Sequence, residues 1–527
     1  MTQPYVQDYA LTLNRLLEHA AKWHPKAGVV TATANGAATR LTYEQLLTRS
    51  QAFSSGLRQL GVRFGDRVAT LAWNTQAHVE AWYGIAGMGA VVHTLNPRLA
   101  TETLASMVRQ AECRLLVVAS SLAKMGVDLA ILAPTIERII VIDESVEVEA
   151  MASPASVILH SEMETGARVE WGMFDENSPA GLCFTSGTTG EPKGVVYTHR
   201  SSYLHTLRVL QADVIGPTAS DRILMVVPMF HANGWGLPFA APAVGASLLL
   251  PGKNLDGASL ARFVQAEGAT LAAAVPTVWL GLVDHLDETG GDVPTLKRII
   301  VGGAPMPESL MERVEKRLGA IVQTSWGMTE LTPLGAIAPS HLPEREAATA
   351  GRIALGVDVL LTDSDGKALS QQRETEGRLR VKGQSVVHRY YGIEQPAVDS
   401  DGWFDTGDLA RINADGALYI TGRAKDLIKS GGEWINPAEI EAIVGTSPAV
   451  AQVAVIARQH SKWGERPVLV IENRDGHEAS DDDLLGLLKG RVPSWWLPDA
   501  VIRLPRIPLA ATGKIDKRRL RKEFGAE

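Results

Sequence analysis

Cysteine is nearly missing from this chain: Cys113 and Cys183 are the two present in 527 residues. Both sit in apolar surroundings, so a disulfide framework is excluded as the basis of the fold and a reducing compartment is expected. A strong charge of one sign is missing as well. The formal net charge is −8 and the isoelectric point is near 6.0, without the basic domain that marks nucleic-acid binding. No apolar run reaches membrane length. Residues 223–252 carry no Asp, Glu, Lys or Arg, but Pro228, Pro238, Pro242 and Pro251 interrupt them, whereas a spanning helix needs about 20 apolar residues in a row. Buried strands and a short helix lining an apolar cavity are expected there. The first ten residues lack a basic stretch followed by an apolar core, so no secretory signal is expected and the cytoplasm is the expected location.

What is present is globular: 45% hydrophobic and 21% charged residues. The length exceeds one ordinary core and suggests three to four units of roughly 150 residues. The most informative stretch is Thr185-Ser186-Gly187-Thr188-Thr189-Gly190-Glu191-Pro192-Lys193-Gly194. It lies between two apolar runs, residues 181–184 and 195–197, and reads as a loop joining two strands. Three glycines, four hydroxyl residues and a lysine suit a polyphosphate. Glycine lets backbone N–H groups approach, hydroxyls donate to phosphate oxygens, and lysine offsets charge. It is not the Walker pattern, because Glu191 and Pro192 separate Gly190 from Lys193 and a glycine follows the lysine.

Helical and extended patterns alternate around it. Thr42 with Gln45 makes a capping box for a helix that Gly61 stops. Residues 67–73 then read as strand, 77–88 as helix and 90–94 as strand. The unit recurs as strand 298–301, helix 307–319 with Pro307 in its first turn, and strand 321–325. Such alternation implies parallel sheets covered by helices, with active-site loops beyond the carboxyl ends of the strands. Residues 302–305 and 326–330 fall at two such ends. After about residue 350, Asp-Gly turns at 365, 401 and 415 separate short β-like runs. A final unit of about 100 residues begins near Gly422 and Arg423. The basic tail, residues 514–522, reads as a solvated helix.

Taken in order, the phosphate loop, residues 228–235, 302–305, 325–330, 405–408, 422–426, 430–433 and 512–514 resemble the superfamily of adenylate-forming enzymes. That superfamily includes acyl-CoA synthetases, luciferases and the adenylation domains of peptide synthetases. The resemblance covers nearly the whole chain. His231-Ala232-Asn233-Gly234-Trp235 and Lys429-Ser430-Gly431-Gly432-Glu433-Trp434 bring it nearest to fatty-acyl-CoA synthetases and methylmercaptopropionate ligases. The fold so implied is α/β. It has a large N-terminal domain, residues 1–422, of parallel-type sheets covered by helices with a small β-barrel-like subdomain. A small mobile α+β domain, residues 423–527, follows as a lid.

The resemblance also implies an activity: a carboxylic acid and ATP give acyl-AMP and pyrophosphate, and coenzyme A then takes the acyl group. A short- to medium-chain fatty or methylthio-alkanoic acid is the expected substrate. The alternatives are an aryl-acid CoA ligase and an acyl-AMP ligase loading a carrier protein. Glu330 would hold Mg²⁺. Thr329 would donate to the α-phosphate, and residues Thr185 to Gly190 with Lys193 would hold the β- and γ-phosphates. Gly303, Ala304, Pro305, Ser325, Trp326, Gly327 and Met328 would frame the adenylate, with Trp326 stacked on adenine. Asp408 and Arg423 would take the ribose. Lys514 would be the catalytic lysine, although Leu509 and Ala510 depart from the family's usual approach to it. His231 would flank the acyl carboxylate, and Gly234, Trp235, Gly302 and Gly303 would shape the acyl slot. Lys425 would be the hinge, and Gly431, Gly432 and Trp463 would face coenzyme A. A homodimer is expected, with small-molecule partners only: no nucleic acid and no integral membrane segment.

Overall fold

The computed structural model describes residues 6–33, 37–143, 153–163, 165–185, 191–342, 345–474, 476–510 and 514–526. Two large sheets organise the first four-fifths of the chain. In one, Ser156–Leu159, Arg138–Ile142, Leu115–Ala119, Arg67–Leu71, Val91–Thr94 and Pro179–Thr185 run parallel, and Lys193–Thr198 closes the edge as an antiparallel hairpin. In the other, Gly28–Ala32, Ser247–Leu250, Arg222–Met225, Leu271–Ala274, Arg298–Val301 and Ile321–Gly327 are parallel neighbours. From Ile321–Gly327 the sheet continues as antiparallel strands ending at Val357–Thr362. These antiparallel strands are the β-rich subdomain expected after residue 350.

The parallel strands are apolar on both sides because both sides are covered. Ile223 and Met225 face a core shared with the other sheet, while Leu224 between them faces a second core. Helices Gly257–Glu267, Pro276–Thr289 and Glu308–Leu318 fill that second core. Between the sheets lies helix Gln76–Gly87, buried on every face from Ala77 to Gly87. Trp82 packs there against Phe239 with ring centroids 4.7 Å apart, and the Tyr83 hydroxyl donates to the Pro238 carbonyl at 2.9 Å. Burial of such rings contributes roughly 2–3 kcal/mol each, which fixes the distance between the two sheets.

The uncharged span becomes strand Arg222–Met225, a turn at Ala232–Gly236, helix Leu237–Val244 and strand Ser247–Leu250, as its composition suggested. Both cysteines are buried and free. The Thr42 and Gln45 capping box opens helix Tyr43–Gln59. Pro307 caps helix Glu308–Leu318 from just outside rather than lying in its first turn, and Gly319 ends it in the left-handed conformation.

After Arg423 the chain enters a separate small sheet: Glu433–Ile435, Ile428–Ser430, Gly464–Asn473 and Val450–His460, with Ala500–Arg503 parallel to Gly464–Asn473. It has its own cores, around Ile440 and Leu469 on one side and Val468 and Leu520 on the other. Asn436 joins it to the larger part: it caps helix Pro437–Val444, and its Nδ2 donates to the Thr421 carbonyl at 2.8 Å.

Candidate active site

Three strand ends meet at one cleft. Ile321–Gly327 pairs beside Arg298–Val301, and Ser325 Oγ donates to the Val301 carbonyl at 2.9 Å, tying the two ends together. Gly327 is required where it stands, since a Cβ there would lie 2.4 Å from the Pro333 carbonyl oxygen. Met328 N donates to that same oxygen at 3.0 Å. Thr329 and Glu330 follow in a tight turn, Thr329–Leu331, whose preceding residue Met328 makes no side-chain cap. The turn is held from outside. Tyr197 Oη donates to the Thr329 carbonyl at 2.9 Å, Val387 N donates to the Glu330 carbonyl at 2.7 Å, and Tyr390 Oη donates to Glu330 Oε1 at 3.0 Å. Burial pushes the Glu330 carboxyl above its ordinary value; its backbone, the Tyr390 hydroxyl and the charges of Arg423 and Lys193 pull the other way.

Asp408 is the second buried carboxylate of this wall. Strands Phe404–Ile412 and Ala417–Arg423 set it opposite Arg423. Arg423 Nε lies 2.7 Å from Oδ1, and Trp326 Nε1 donates to Oδ2 at 3.0 Å. Burial raises its pKa, opposed by Arg423, Trp326 and Lys514. The structure shows Trp326 in a part that the sequence did not indicate: its indole N–H orients this carboxylate.

Lys514 reaches the same cleft from the C-terminal unit. It keeps contact with solvent although protein surrounds it on most sides, as a side chain extending into a cleft does. Burial lowers its pKa, Arg423 and Lys425 add to the effect, and Asp408 opposes it. The Lys514 charge also acts on His231: burial, then Lys514, then Arg98 push that imidazole down to about 4. His231 is therefore neutral at physiological pH.

The opposite wall is a turn of uncharged residues, 232–236, whose backbone is strained. Ala232, Asn233, Gly234, Trp235 and Gly236 all have positive φ, between 46° and 76°. Such a conformation costs a non-glycine residue about 1 kcal/mol, and three of these five are not glycine. Packing holds the turn in place: Cys183 Sγ lies 3.6 Å from Asn233 Oδ1 and 3.2 Å from Thr94 Oγ1. The result carries the Trp235 ring across Gly302 and Gly303. A Cβ at Gly302 would stand 3.0 Å from that ring and 2.6 Å from Ser325 Oγ. Ala304 and Pro305 continue from this turn.

The loop expected to hold phosphate connects the two strands of an antiparallel hairpin, with Thr185 paired to Lys193 at its base. Ser186, Gly187, Thr188, Thr189 and Gly190 lie outside the described residues, as does Gly513 beside Lys514. Lys193 Nζ stands 5.1 Å from the centre of the Tyr390 ring, and Tyr391 N donates to the Gly194 carbonyl at 2.7 Å.

On the C-terminal unit Gly431 and Gly432 form an exposed turn between Ile428–Ser430 and Glu433–Ile435. Their φ values, 59° and 95°, explain the glycines. Gly431 N donates to the Trp463 carbonyl at 2.8 Å, so these three expected neighbours are together. Lys425 lies in the short turn Ala424–Asp426 that separates the two parts of the chain.

The structure therefore gathers Lys193, Trp326, Thr329, Glu330, Asp408, Arg423, Lys514, His231 and Trp235 around one cleft and leaves Gly431, Gly432 and Trp463 on a surface of the small unit. Sequence reasoning missed Tyr390, Tyr197 and Asn233. Asn233 was readable only as part of the phrase around His231, and nothing in the sequence marks the two tyrosines.

Known proteins match this arrangement end to end. The AMP-binding enzyme family matches residues 17–391, and its C-terminal domain matches residues 439–514. A 3-methylmercaptopropionyl-CoA ligase of Ruegeria lacuscaerulensis is 37% identical, with 99% of this chain and 98% of that protein covered. A medium-chain-fatty-acid–CoA ligase of Ectopseudomonas oleovorans is 36% identical over 98% of this chain and 96% of its own length. Among solved structures, an anthranilate CoA ligase in complex with anthranoyl-AMP superposes with a TM-score of 0.87 at 22% identity, covering 98% of each chain. An o-succinylbenzoate CoA synthetase of Bacillus subtilis with its acyl-adenylate superposes at 0.80 and 26% identity, covering 96% of this chain and 97% of that one.

Proposed function

The chain belongs to the AMP-binding enzyme family, and from that premise we propose that it is an AMP-forming CoA ligase for short- to medium-chain fatty or methylthio-alkanoic acids. The observation that carries this reading is the meeting of Lys514 with Asp408, Arg423 and His231 in one cleft, between an uncharged wall and a phosphate loop. The uncharged wall fits an alkyl chain, which gains roughly 0.8 kcal/mol per buried CH₂. The relatives that act on methylmercaptopropionate and medium-chain acids support the acid class.

In the first half-reaction the acid's carboxylate oxygen attacks the α-phosphate of ATP and expels pyrophosphate. Two anions must approach, so positive charge and aligned donors lower the barrier. In this reading the Lys514 ammonium contacts both the carboxylate and the α-phosphate, and the Thr329 hydroxyl adds a donor; the support is that the Lys514 charge acts on Asp408 and His231. Neutral His231 flanks the acid without drawing its carboxylate into an ion pair. Asp408, pre-oriented by Arg423 and Trp326, accepts two ribose hydroxyls. Thr185 to Gly190 and Lys193 take the outer phosphates. Among the described residues no three His, Cys, Asp or Glu side chains cluster to hold a metal alone. One buried carboxylate, Glu330, joined by phosphate oxygens and water is the ligand set that magnesium takes. Bound there, magnesium supplies neutralisation of phosphate charge.

In the second half-reaction a thiol attacks the acyl carbon and AMP leaves. Residues 423–527 turn about Lys425, withdrawing Lys514 and bringing Gly431, Gly432 and Trp463 to the cleft as the face for coenzyme A. A hinge needs only a few residues that absorb a dihedral change, and Ala424–Asp426 is such a segment between two separate sheets. The reading extends to a cytoplasmic homodimer, which cell fractionation and sedimentation test; no helix among the described residues is long and apolar enough to cross a membrane.

A panel of acids from propionate to palmitate, with methylmercaptopropionate, cinnamate and benzoate, assayed by AMP release with CoA, tests the proposal. Highest kcat/KM for a short or medium alkyl acid supports it. A preference for the aromatic acids, or adenylate formation without thioester, contradicts it.

A further inference from the structure

We propose that Tyr390 is a positioning residue that ties Lys193 and Gly194, on the strand that follows the loop, to the Glu330 carboxylate as one unit for metal-bound ATP; this rests on the reading of the cleft given above. Tyr390 lies 60 residues from Glu330, in the connection that follows strand Glu376–Gly383. That connection grips the Glu330 turn at several points. Thr332 Oγ1 donates to the Ser385 carbonyl at 2.7 Å, and Ser385 Oγ donates to the Leu331 carbonyl at 3.0 Å. Val387 N meets the Glu330 carbonyl, and the Tyr390 hydroxyl meets its carboxylate. At its far end the same segment grips the base of the phosphate loop, through Tyr391 N on the Gly194 carbonyl and the Tyr390 ring beside the Lys193 ammonium.

Each contact has a distinct physical consequence. Tyr390 is the one side-chain donor to the Glu330 carboxylate among the described residues. A buried carboxylate held by its own backbone and one side-chain donor keeps its orientation, and its two oxygens retain lone pairs for another ligand. An ammonium within about 6 Å of a ring centre is attracted to the ring face, which restrains where Lys193 points before ATP arrives. The hydroxyl thus serves the metal side of the site and the ring serves the phosphate side. A purely structural tyrosine would give no such division.

Two variants separate the roles. Tyr390→Phe keeps the ring and loses the hydroxyl; Tyr390→Leu loses both. Calorimetry of ATP binding, with magnesium and with a chelator, needs no acid and no turnover. For Tyr390→Phe the dissociation constant for magnesium-ATP should rise about tenfold, the cost of a lost hydrogen bond to a charged group, with metal-free ATP unchanged within about twofold. For Tyr390→Leu metal-free ATP should also weaken, by about threefold. Wild-type affinity of Tyr390→Phe for magnesium-ATP overturns the inference. Equal losses with and without metal, accompanied by a lower urea midpoint, overturn it too. Should the metal-dependent loss occur while no acid is activated, this inference stands and the ligase reading falls.

Discussion

The face of the small unit that carries Lys514 turns into the cleft beside Asp408 and His231, whereas the face with Gly431, Gly432 and Trp463 lies open to solvent. The first is electrostatically committed: the lysine's proton affinity is shifted by burial and by the residues of the larger part. The second is not, since a Cβ at Gly432 would meet nothing within 4 Å. The contrast teaches that one face of the small unit is engaged with the cleft and the other is free; under the proposed function the first would serve adenylation and the second would wait for coenzyme A. If both faces are used, they are used in turn.

The largest effect that sharpens this contrast is expected from Lys514→Ala. Adenylation, measured by carboxylate-dependent pyrophosphate exchange, should fall by about 10²–10³, as loss of one transition-state donor does. Thioester formation from supplied acyl-adenylate should fall less than about tenfold, and equal losses in both steps would erase the distinction between the faces. The reverse pattern is expected on the other face. Gly431→Val forces a Cβ to 2.9 Å from the Trp463 ring at a φ of 59°, and strain of about 1–3 kcal/mol should slow the thioester step about tenfold. Pyrophosphate exchange in that variant should remain within twofold, by roughly the reproducibility expected of additive, distant sites.

A smaller change is expected at the uncharged wall. Trp235→Ala should raise kcat/KM for octanoate relative to butyrate by about fourfold or more, one methylene's transfer energy. An unchanged chain-length profile removes the indole from the acyl slot. The smallest effect reports directly on where Lys514 resides. Burial, then the charges of Lys514 and Arg98, push His231 down to about 4, so it should stay neutral between about pH 6 and 8 by histidine NMR. Removing the Lys514 charge eliminates one cause of that depression, and the His231 pKa should move upward in Lys514→Ala while staying below its ordinary value. No movement would place Lys514 outside the cleft in solution.

Local chemistry was legible and long-range convergence was not. The capping box at Thr42 and the strand Arg298–Val301 follow from adjacent residues, and both are found. The strand expected at residues 321–325 runs on to Gly327, because Trp326 and Gly327 pair with Ala336 and Leu334 beyond the parallel region. No periodicity announces a partner strand. The left-handed run from Ala232 to Gly236 was invisible for another reason: Ala and Trp rarely adopt positive φ, and tertiary contacts impose it. Trp326 and Asp408 are 82 residues apart, and Tyr390 and Glu330 are 60 apart. The resemblance to a family named residues far apart in the chain, such as Trp326 and Asp408, that the structure brings into contact, whereas Tyr390, outside the motifs read from the sequence, emerged only from the packing.

The most direct test of adenylate formation uses an acid whose carboxylate oxygens are oxygen-18, incubated with the protein, ATP, magnesium and CoA. Attack by the carboxylate on the α-phosphate requires that one labelled oxygen appear in AMP, with none in pyrophosphate. Unlabelled AMP, or ADP as the nucleotide product, would contradict the account.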